Sequence, residues 1–475
     1  MTGRAAGRRG GAAGRGPRPA RPAPRREADP ARRAAYDLLR AVEERDAYAN
    51  LTLPGLLRER GLTGRDAAFA TELGYGTLRA TGTLDAILAR CADRPLDAVD
   101  PPARAALRLG AYQILRTRVA PHAAVSATVD LAPRRAAGFV NAVLRRVARQ
   151  DWDSWVAAVA PADPIGGLAI RYAHPEWVVA AFRDALGGDL AETEAALAAD
   201  DARPQTHLVA RPGRLDRDRL VELAGGEPGP WSPYAVRLPG GGDPGALAAV
   251  RDGRAGVQDE GSQLSALALL AAPPDGPDRS WLDLCAGPGG KAALLGCLAA
   301  TSRPGGARSA GAAARLLAVE VSAHRARLVA AATAGLPVRV VRADGTVPAW
   351  PAGGFDRVLL DAPCTGLGAL RRRPEARWRR RPEDVAGLAA LQRRLLHSAL
   401  AAARPGGLVG YVVCSPHPAE TRDVLDDVLA DGTADPLDTR PLLGGVPDLG
   451  AGPAVQLWPH RHGTDAMFCA VLRRR

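Results

Sequence analysis

Two short stretches put a cysteine where chemistry is expected: Asp361-Ala362-Pro363-Cys364 and Cys414-Ser415-Pro416. Each follows an apolar run that reads as a buried strand, Arg357-Val358-Leu359-Leu360 in one case and Leu408-Val409-Gly410-Tyr411-Val412-Val413 in the other. As the fourth and fifth strands of a doubly wound sheet these runs lie side by side, about 4.8 Å apart. Both thiols then face the crevice beyond the carboxyl ends of the strands, where such sheets bind ligands. A lone cysteine is usually a small buried hydrophobe, but two at neighbouring strand tips suit covalent catalysis. A thiolate that adds to carbon 6 of a pyrimidine turns the ring into an enamine with electron density at carbon 5. Carbon 5 then takes an electrophilic methyl group, a base removes its proton and the thiolate leaves. With two thiols, one adds and the other assists release.

A donor site is legible upstream. The run Trp281-Leu282-Asp283-Leu284 leads into Cys285-Ala286-Gly287-Pro288-Gly289-Gly290-Lys291 and then an apolar helical stretch. Glycines let a backbone turn sharply and approach a ligand closely. The loop is not a phosphate-binding Walker loop, since Ala292 follows Lys291 and Gly287 stands too near that lysine. Nor is it the G-x-G-x-x-G of a nicotinamide site. The next strands end in Glu320, Asp344 and Asp361. An acid closing the second strand is placed to accept hydrogen bonds from both ribose hydroxyls, and one closing the third can accept from an adenine amino group. Glycine loop and acids, in that order, describe an adenosyl pocket.

These residues need a parallel sheet to position them. Leu316-Leu317-Ala318-Val319 and Val338-Arg339-Val340-Val341 supply its remaining strands, alternating with helical stretches from about residue 256 to the end, an α/β Rossmann-like pattern. The Gly-, Ala-, Ser- and Arg-rich stretch 301–315 interrupts it as an insertion. Residues 165–255 read as a small α+β domain, with a helix from Glu176 to Leu186 and a strand at Thr206-His207-Leu208-Val209-Ala210. Residues 30–150 read as an all-α domain of five to seven helices. Its stripes include Ala35, Leu38, Leu39 and Val42, then Val140, Val143, Leu144 and Val147. Pro101 and Pro102 stand where a helix should start. Residues 1–29 hold Arg, Gly, Pro and Ala without periodicity and read as a disordered basic tail, either solvated or tethering RNA.

The C-terminal part resembles the RNA cytosine-C5 methyltransferases that use two cysteines, through 257–263, Asp283 to Lys291, Asp361 to Gly368 and Arg404-Pro405-Gly406-Gly407 leading to Cys414-Ser415. The resemblance implies that Cys414 is the nucleophile and that Cys364 helps release the product. It implies S-adenosylmethionine held by Cys285, Ala286, Gly287, Pro288, Gly289, Gly290 and Lys291 with Glu320, Asp344 and Asp361, while Asp361 and Lys291 also face the base. The stretches 109–115, 121–125 and 138–146 resemble the helical NusB-type antitermination domain, an RNA-binding fold. Together the two parts are similar in layout to the ribosomal small-subunit methyltransferase B family, which implies a cytosine of 16S ribosomal RNA, or of a small-subunit precursor, as substrate. The sequence departs from the family pattern at Gly287, usually alanine, at Val413, usually threonine, and at Thr421, usually asparagine. It also has Asp465-Ala466-Met467-Phe468 where Asp-Gly-Phe-Phe is usual.

Charge and composition bound the partners. Ten arginines against Glu27 and Asp29 in the first 33 residues supply +8 of the formal +12, so the remaining chain is only mildly basic. RNA contacts must then come from local patches, and residues 371–381, with seven arginines around Glu375 and Trp378, are the expected patch. Lys291 is the one lysine of the chain. The six cysteines form no C-x-x-C pair, so no metal site is expected. No signal segment or membrane-spanning run is visible, and a cytoplasmic monomer with free thiols is expected. Three other readings fit parts of the pattern. An RNA-binding or antitermination-type factor with an inactive methyltransferase domain is opposed by intact Cys364, Cys414 and Asp361. A small-molecule methyltransferase is opposed by the helical domain and the arginine patch. A transfer-RNA cytosine-C5 methyltransferase shares the chemistry.

Overall fold

A computed structural model of the chain describes residues 2–3, 28–240, 243–301 and 314–475. The basic segment 1–29 and the insertion 301–315 therefore lie almost wholly outside the described residues.

The first elements are helices: α1 (Pro30–Arg45), α2 (Ala49–Glu59), α3 (Gly64–Arg79), α4 (Thr81–Cys91), α5 (Pro101–Arg116), α6 (Pro121–Leu131) and α7 (Ala137–Val147). Prolines open α1, α5 and α6, where their fixed φ suits the first turn and the missing N–H costs nothing. Asp29 caps α1 by accepting from the Arg32 N–H. The stripes Ala35–Leu38–Leu39–Val42 and Val140–Val143–Leu144–Val147 are buried in one core.

Four further helices follow, α8 (Trp152–Val159), α9 (Pro164–Arg171), α10 (Glu176–Ala185) and α11 (Leu190–Asp201). The first half of the stretch read as α+β is thus helical, and α9 to α11 share a core with Leu367, Leu370, Trp458 and Ala466 of the C-terminal part. They form a wall behind the Cys364 loop. A small antiparallel sheet comes next, from β1 (His207–Ala210), β2 (Glu227–Pro228), β3 (Ala235–Arg237) and β4 (Ala255–Val257), ordered β2-β3-β1-β4.

The large sheet contains β5 (Ser280–Asp283), β6 (Arg315–Val319), β7 (Val338–Val341), β8 (Phe355–Asp361), β9 (Ala403–Val413), β10 (Ala434–Leu437) and β12 (Phe468–Arg474), with the two-residue β11 (Val455–Gln456) pairing to β12. Its order is β10-β12-β9-β8-β5-β6-β7. The five strands read from sequence pair in parallel. The sheet is nevertheless mixed, because β12 runs antiparallel to β9, and β10 antiparallel to β12. Strand residues alternate between layers: Val358 and Leu360 join one helical core and Leu359 the other. Among the described residues no helix is long and apolar enough to cross a membrane.

Candidate active site

β8 and β9 are hydrogen-bonded neighbours with Asp361 opposite Val412. The pairing continues past the strands, with Ala362 N–H donating to the Val412 carbonyl at 2.8 Å and Gly368 N–H to the Cys414 carbonyl at 2.9 Å. Sequence adjacency to the two strand tips is thereby converted into contact: Cys364 Sγ and Cys414 Sγ lie 3.4 Å apart, each half-buried. The pair is electrically unequal. The hydrogen bond from Cys364 draws the Cys414 thiol below its ordinary value against the opposing effect of burial, helped by the charges of Lys291 and Arg373. That hydrogen bond and burial push Cys364 well up. Cys414 is the more acidic thiol of the pair and Cys364 the less acidic one.

One carboxylate braces both cysteines. Glu420 is fully buried. It accepts from Thr365 N–H at 2.7 Å, from the Thr365 hydroxyl, and from the Ser415 hydroxyl at 2.6 Å. Thr365 follows Cys364 and Ser415 follows Cys414, so Glu420 ties the two loops together one residue beyond each sulfur. Gln392 Nε2 donates to the Pro363 carbonyl at 2.8 Å from the other side, and the Tyr411 hydroxyl donates to the Glu420 carbonyl at 2.7 Å. Sequence reasoning gave Glu420 and Gln392 no role. Glutamate five residues beyond Ser415 carries no visible signal until the chain turns back at Pro416–Pro418.

Lys291 is nearly buried at the start of the helix Gly290–Thr301 and donates to Asp361 Oδ2 at 2.8 Å. Burial opposes the ammonium, but the charge and hydrogen bond of Asp361 prevail and hold Lys291 above the ordinary lysine value. Behind them sits Asp283, closing β5 and fully buried, its carboxyl oxygens without a well-formed hydrogen bond. Burial, reinforced by the Asp361 charge, pushes it up to about 7. A buried polar group without a partner carries a penalty of about 1–3 kcal/mol, and such groups are functional candidates. Asp283 was passed over in the sequence, where it looks like one more strand-end acid.

In the loop Cys285–Lys291, Gly289 has φ +110°, a conformation that side chains rarely adopt. At Gly287, a Cβ would stand 2.3 Å from Glu320 Oε2. The departure from alanine at 287 thus matches how closely Glu320 approaches the loop. Gly287 N–H donates to Glu320 Oε2 at 3.1 Å, while Ser322 N–H and Arg325 donate to Oε1. Glu320 is therefore at the loop but engaged. Asp344, three residues past β7, is exposed and accepts from Thr346 N–H at 2.8 Å, and no hydrogen bond joins it to the loop. Ala286 is buried in the turn and Cys285 half-buried, and desolvation pushes the Cys285 thiol far up. Among the described residues no cluster of three or more His, Cys, Asp or Glu side chains is arranged to hold a metal.

The arginine patch is a correction. Arg371 and Arg372 pair with Asp259 and Asp465, at 2.6–3.1 Å. Arg377 is fully buried and donates to the carbonyls of Arg79, Tyr172, Ala173 and Asp200. Arg379 donates to the Val42 and Ala47 carbonyls, and Arg380 to that of Thr365. Trp378 packs on Gly82, so tightly that a Cβ there would stand 2.3 Å from the indole. Five of the seven arginines thus hold the protein together, because loop carbonyls brought close by folding satisfy guanidinium donors as well as phosphates do. Arg373 and Arg381 remain exposed.

Residues 268–473 match the family described as 16S rRNA methyltransferase RsmB/F, and residues 29–149 match the NusB family. A putative methyltransferase of Mycobacterium tuberculosis is 58% identical over 468 residues, covering 97% of this chain and 98% of its own. A probable ribosomal RNA small subunit methyltransferase B of Bacillus subtilis is 30% identical over 460 residues, covering 93% and 98%. The crystal structure of PH0851 superposes with a TM-score of 0.78 at 21% identity, covering 95% of this chain and all of that one, a likeness of fold.

Proposed function

The chain belongs to the 16S rRNA methyltransferase RsmB/F family, and on that footing we propose that it methylates carbon 5 of a cytosine in ribosomal RNA through a covalent bond between Cys414 and carbon 6. The family and the fold are those of S-adenosylmethionine-dependent RNA methylation, with a NusB helical domain ahead of a Rossmann-like methyltransferase domain. On this reading residues 30–150 form the helical unit, 165–255 a connecting unit and 256–475 the catalytic one.

The residues present fit an adenosyl donor. The turn comes close to its own neighbours at Gly287 and Gly289, where a Cβ would meet Glu320 and Ala332, and Asp283 is a buried carboxyl in want of a partner. The backbone from Cys285 to Lys291 would hold the donor together with Glu320, Asp344 and Asp361. S-adenosylmethionine supplies an electrophilic methyl group there. The rest falls to the chain's own side chains. Cys414, already the more acidic thiol, forms a sulfur–carbon bond to carbon 6 and raises electron density at carbon 5. Lys291 and Asp361 present fixed charges to the ring. After methylation carbon 5 loses its proton to a base, the carbon 5–carbon 6 double bond re-forms, and Cys414 leaves with the help of Cys364. The target base must leave its stack to reach the sulfurs.

The observation that carries this reading is the 3.4 Å separation of two unequal thiols at the tips of adjacent strands. The test is bisulfite sequencing of ribosomal RNA from a strain lacking the gene, complemented with wild type or Cys414→Ala. One protected cytosine should vanish on deletion, return with wild type and stay lost with Cys414→Ala. No change on deletion would sink the proposal, and rescue by Cys414→Ala would sink the assignment of the nucleophile.

A further inference from the structure

The five internally bonded arginines leave a question of what the other two do. Arg373 is exposed, and among the described residues no carboxylate or carbonyl accepts from its guanidinium. It follows the Cys364 loop by nine residues, and its charge helps draw Cys414 down. Its nearest aromatic partner comes from the other end of the chain. Tyr48, at the start of α2, has its ring 6.0 Å from the Arg373 guanidinium and 5.4 Å from that of Arg379. The ring is 50% exposed, and Leu51, one turn on, is 73% exposed.

This placement is built, not incidental. Tyr48 is the N-cap residue of α2 yet caps nothing with its side chain. The cap comes instead from Glu375, a buried carboxylate of the arginine loop that accepts from Ala49 N–H at 3.1 Å, favourable beside the positive end of a helix. Arg379, which donates to the Val42 and Ala47 carbonyls, pins the residues just before Tyr48. The loop that begins at Cys364, tied back to it by the donation of Arg380 to the Thr365 carbonyl, therefore fixes an aromatic ring of the helical domain beside the Arg373 guanidinium, whose charge reaches Cys414.

We infer that Tyr48 and Arg373 together form a docking surface for the single-stranded RNA next to the target base, the ring stacking on a flanking nucleobase and the guanidinium forking onto a phosphate. The inference rests on the reading of RNA as substrate. The chemistry suits that occupant. An aromatic ring stacks on any base, an arginine fork fits phosphate oxygens, and an extruded base leaves its neighbours unstacked and in need of such a surface. It gives the helical domain a direct part in holding the RNA, since half of the surface is its own.

The test uses the full-length protein and unmodified 16S rRNA transcribed in vitro, with Tyr48→Ala, Tyr48→Phe and Arg373→Ala. Loss of a stacked base should weaken RNA binding by about 5- to 150-fold in Tyr48→Ala, while Tyr48→Phe stays within about twofold of wild type. Arg373→Ala should lower the slope of log affinity against log salt by about one. Thermal unfolding and S-adenosylmethionine binding should stay as in wild type, which separates docking from folding. Wild-type affinity in Tyr48→Ala with an unchanged salt slope in Arg373→Ala would overturn the inference while leaving the enzyme reading intact. A wild-type protein that neither binds nor methylates the transcript would bring down the reading beneath it.

Discussion

Removing the Cys364 sulfur should make Cys414 harder to ionise, by an amount the geometry sets. When Cys414 ionises, the 3.4 Å contact lets the Cys364 S–H donate to it, and that hydrogen bond is the largest influence drawing Cys414 down. A hydrogen bond to a charged group contributes roughly 1.5–3 kcal/mol net. A thiol is a weak donor, so the lower end applies, and 1.36 kcal/mol corresponds to one unit of pKa. In Cys364→Ala the Cys414 value should rise, and its labelling rate at a fixed neutral pH should fall about tenfold, while burial and the Asp361 charge continue to oppose ionisation. The sign is fixed, because losing a donor to the charged form disfavours that form. Iodoacetamide labelling against pH, read peptide by peptide by mass spectrometry, reports the shift directly, since burial holds Cys91, Cys285, Cys297 and Cys469 above the ordinary thiol value. The same variant incubated with RNA and S-adenosylmethionine should accumulate a denaturant-resistant protein–RNA adduct, because release is impaired. A labelling profile that stays put or moves to lower pH would refute the assignment of donor and acceptor. Adducts in Cys414→Ala but not in Cys364→Ala would reverse the two roles.

Glu420→Gln keeps the shape of the brace but not its charge; a 1 Å drift of either sulfur costs about 10²-fold, so single-turnover methylation should fall by about that factor, and a rate within threefold of wild type would count against the brace. Asp283 titrates near 7 in the fold against an ordinary value of 3.8, so the ligand-free protein loses stability as pH rises through that window. Asp283→Asn should therefore be more stable than wild type at pH 8, by a few kcal/mol at roughly 1.4 kcal/mol per unit, with the gain vanishing towards pH 4 in thermal melts; a gain independent of pH would contradict this. Arg377→Met removes a fully buried cation from Asp200 and four carbonyls and should cost about 3–5 kcal/mol in urea unfolding, and a loss below about 1 kcal/mol would show the guanidinium to be dispensable.

What the sequence made legible was whatever repeats locally. The stripes of α1 and α7 and the five parallel strands follow from short-range periodicity, and so does the adjacency of Cys364 and Cys414, because consecutive βα units in a doubly wound sheet obey few arrangements. The antiparallel addition was hidden. Phe468 to Leu472 is apolar enough for a strand, but Arg473, Arg474 and Arg475 give it the look of a solvated end. Only the fold supplies their partners, Asp275, Asp435 and the Leu400 carbonyl. The arginine patch misled for the same reason: its acceptors lie far off in sequence, at Asp200, Asp259 and Asp465 and at carbonyls of α1 and α3. Glu420 and Asp283 were invisible as special residues because their isolation from water, not their type or spacing, sets them apart.

The loop from Arg371 to Arg381 has one more consequence, for anyone who would trim the chain. Cutting away the first seven helices would not uncover a smaller working enzyme. It would strip Trp378 of its seat on Gly82, strand Glu375 without the helix start it caps, and leave Arg379 reaching for absent carbonyls. Such a fragment begins life with an open wound beside its thiols, and its failure would say nothing about where chemistry resides. For a leaner version, the loop has to be redesigned along with the cut.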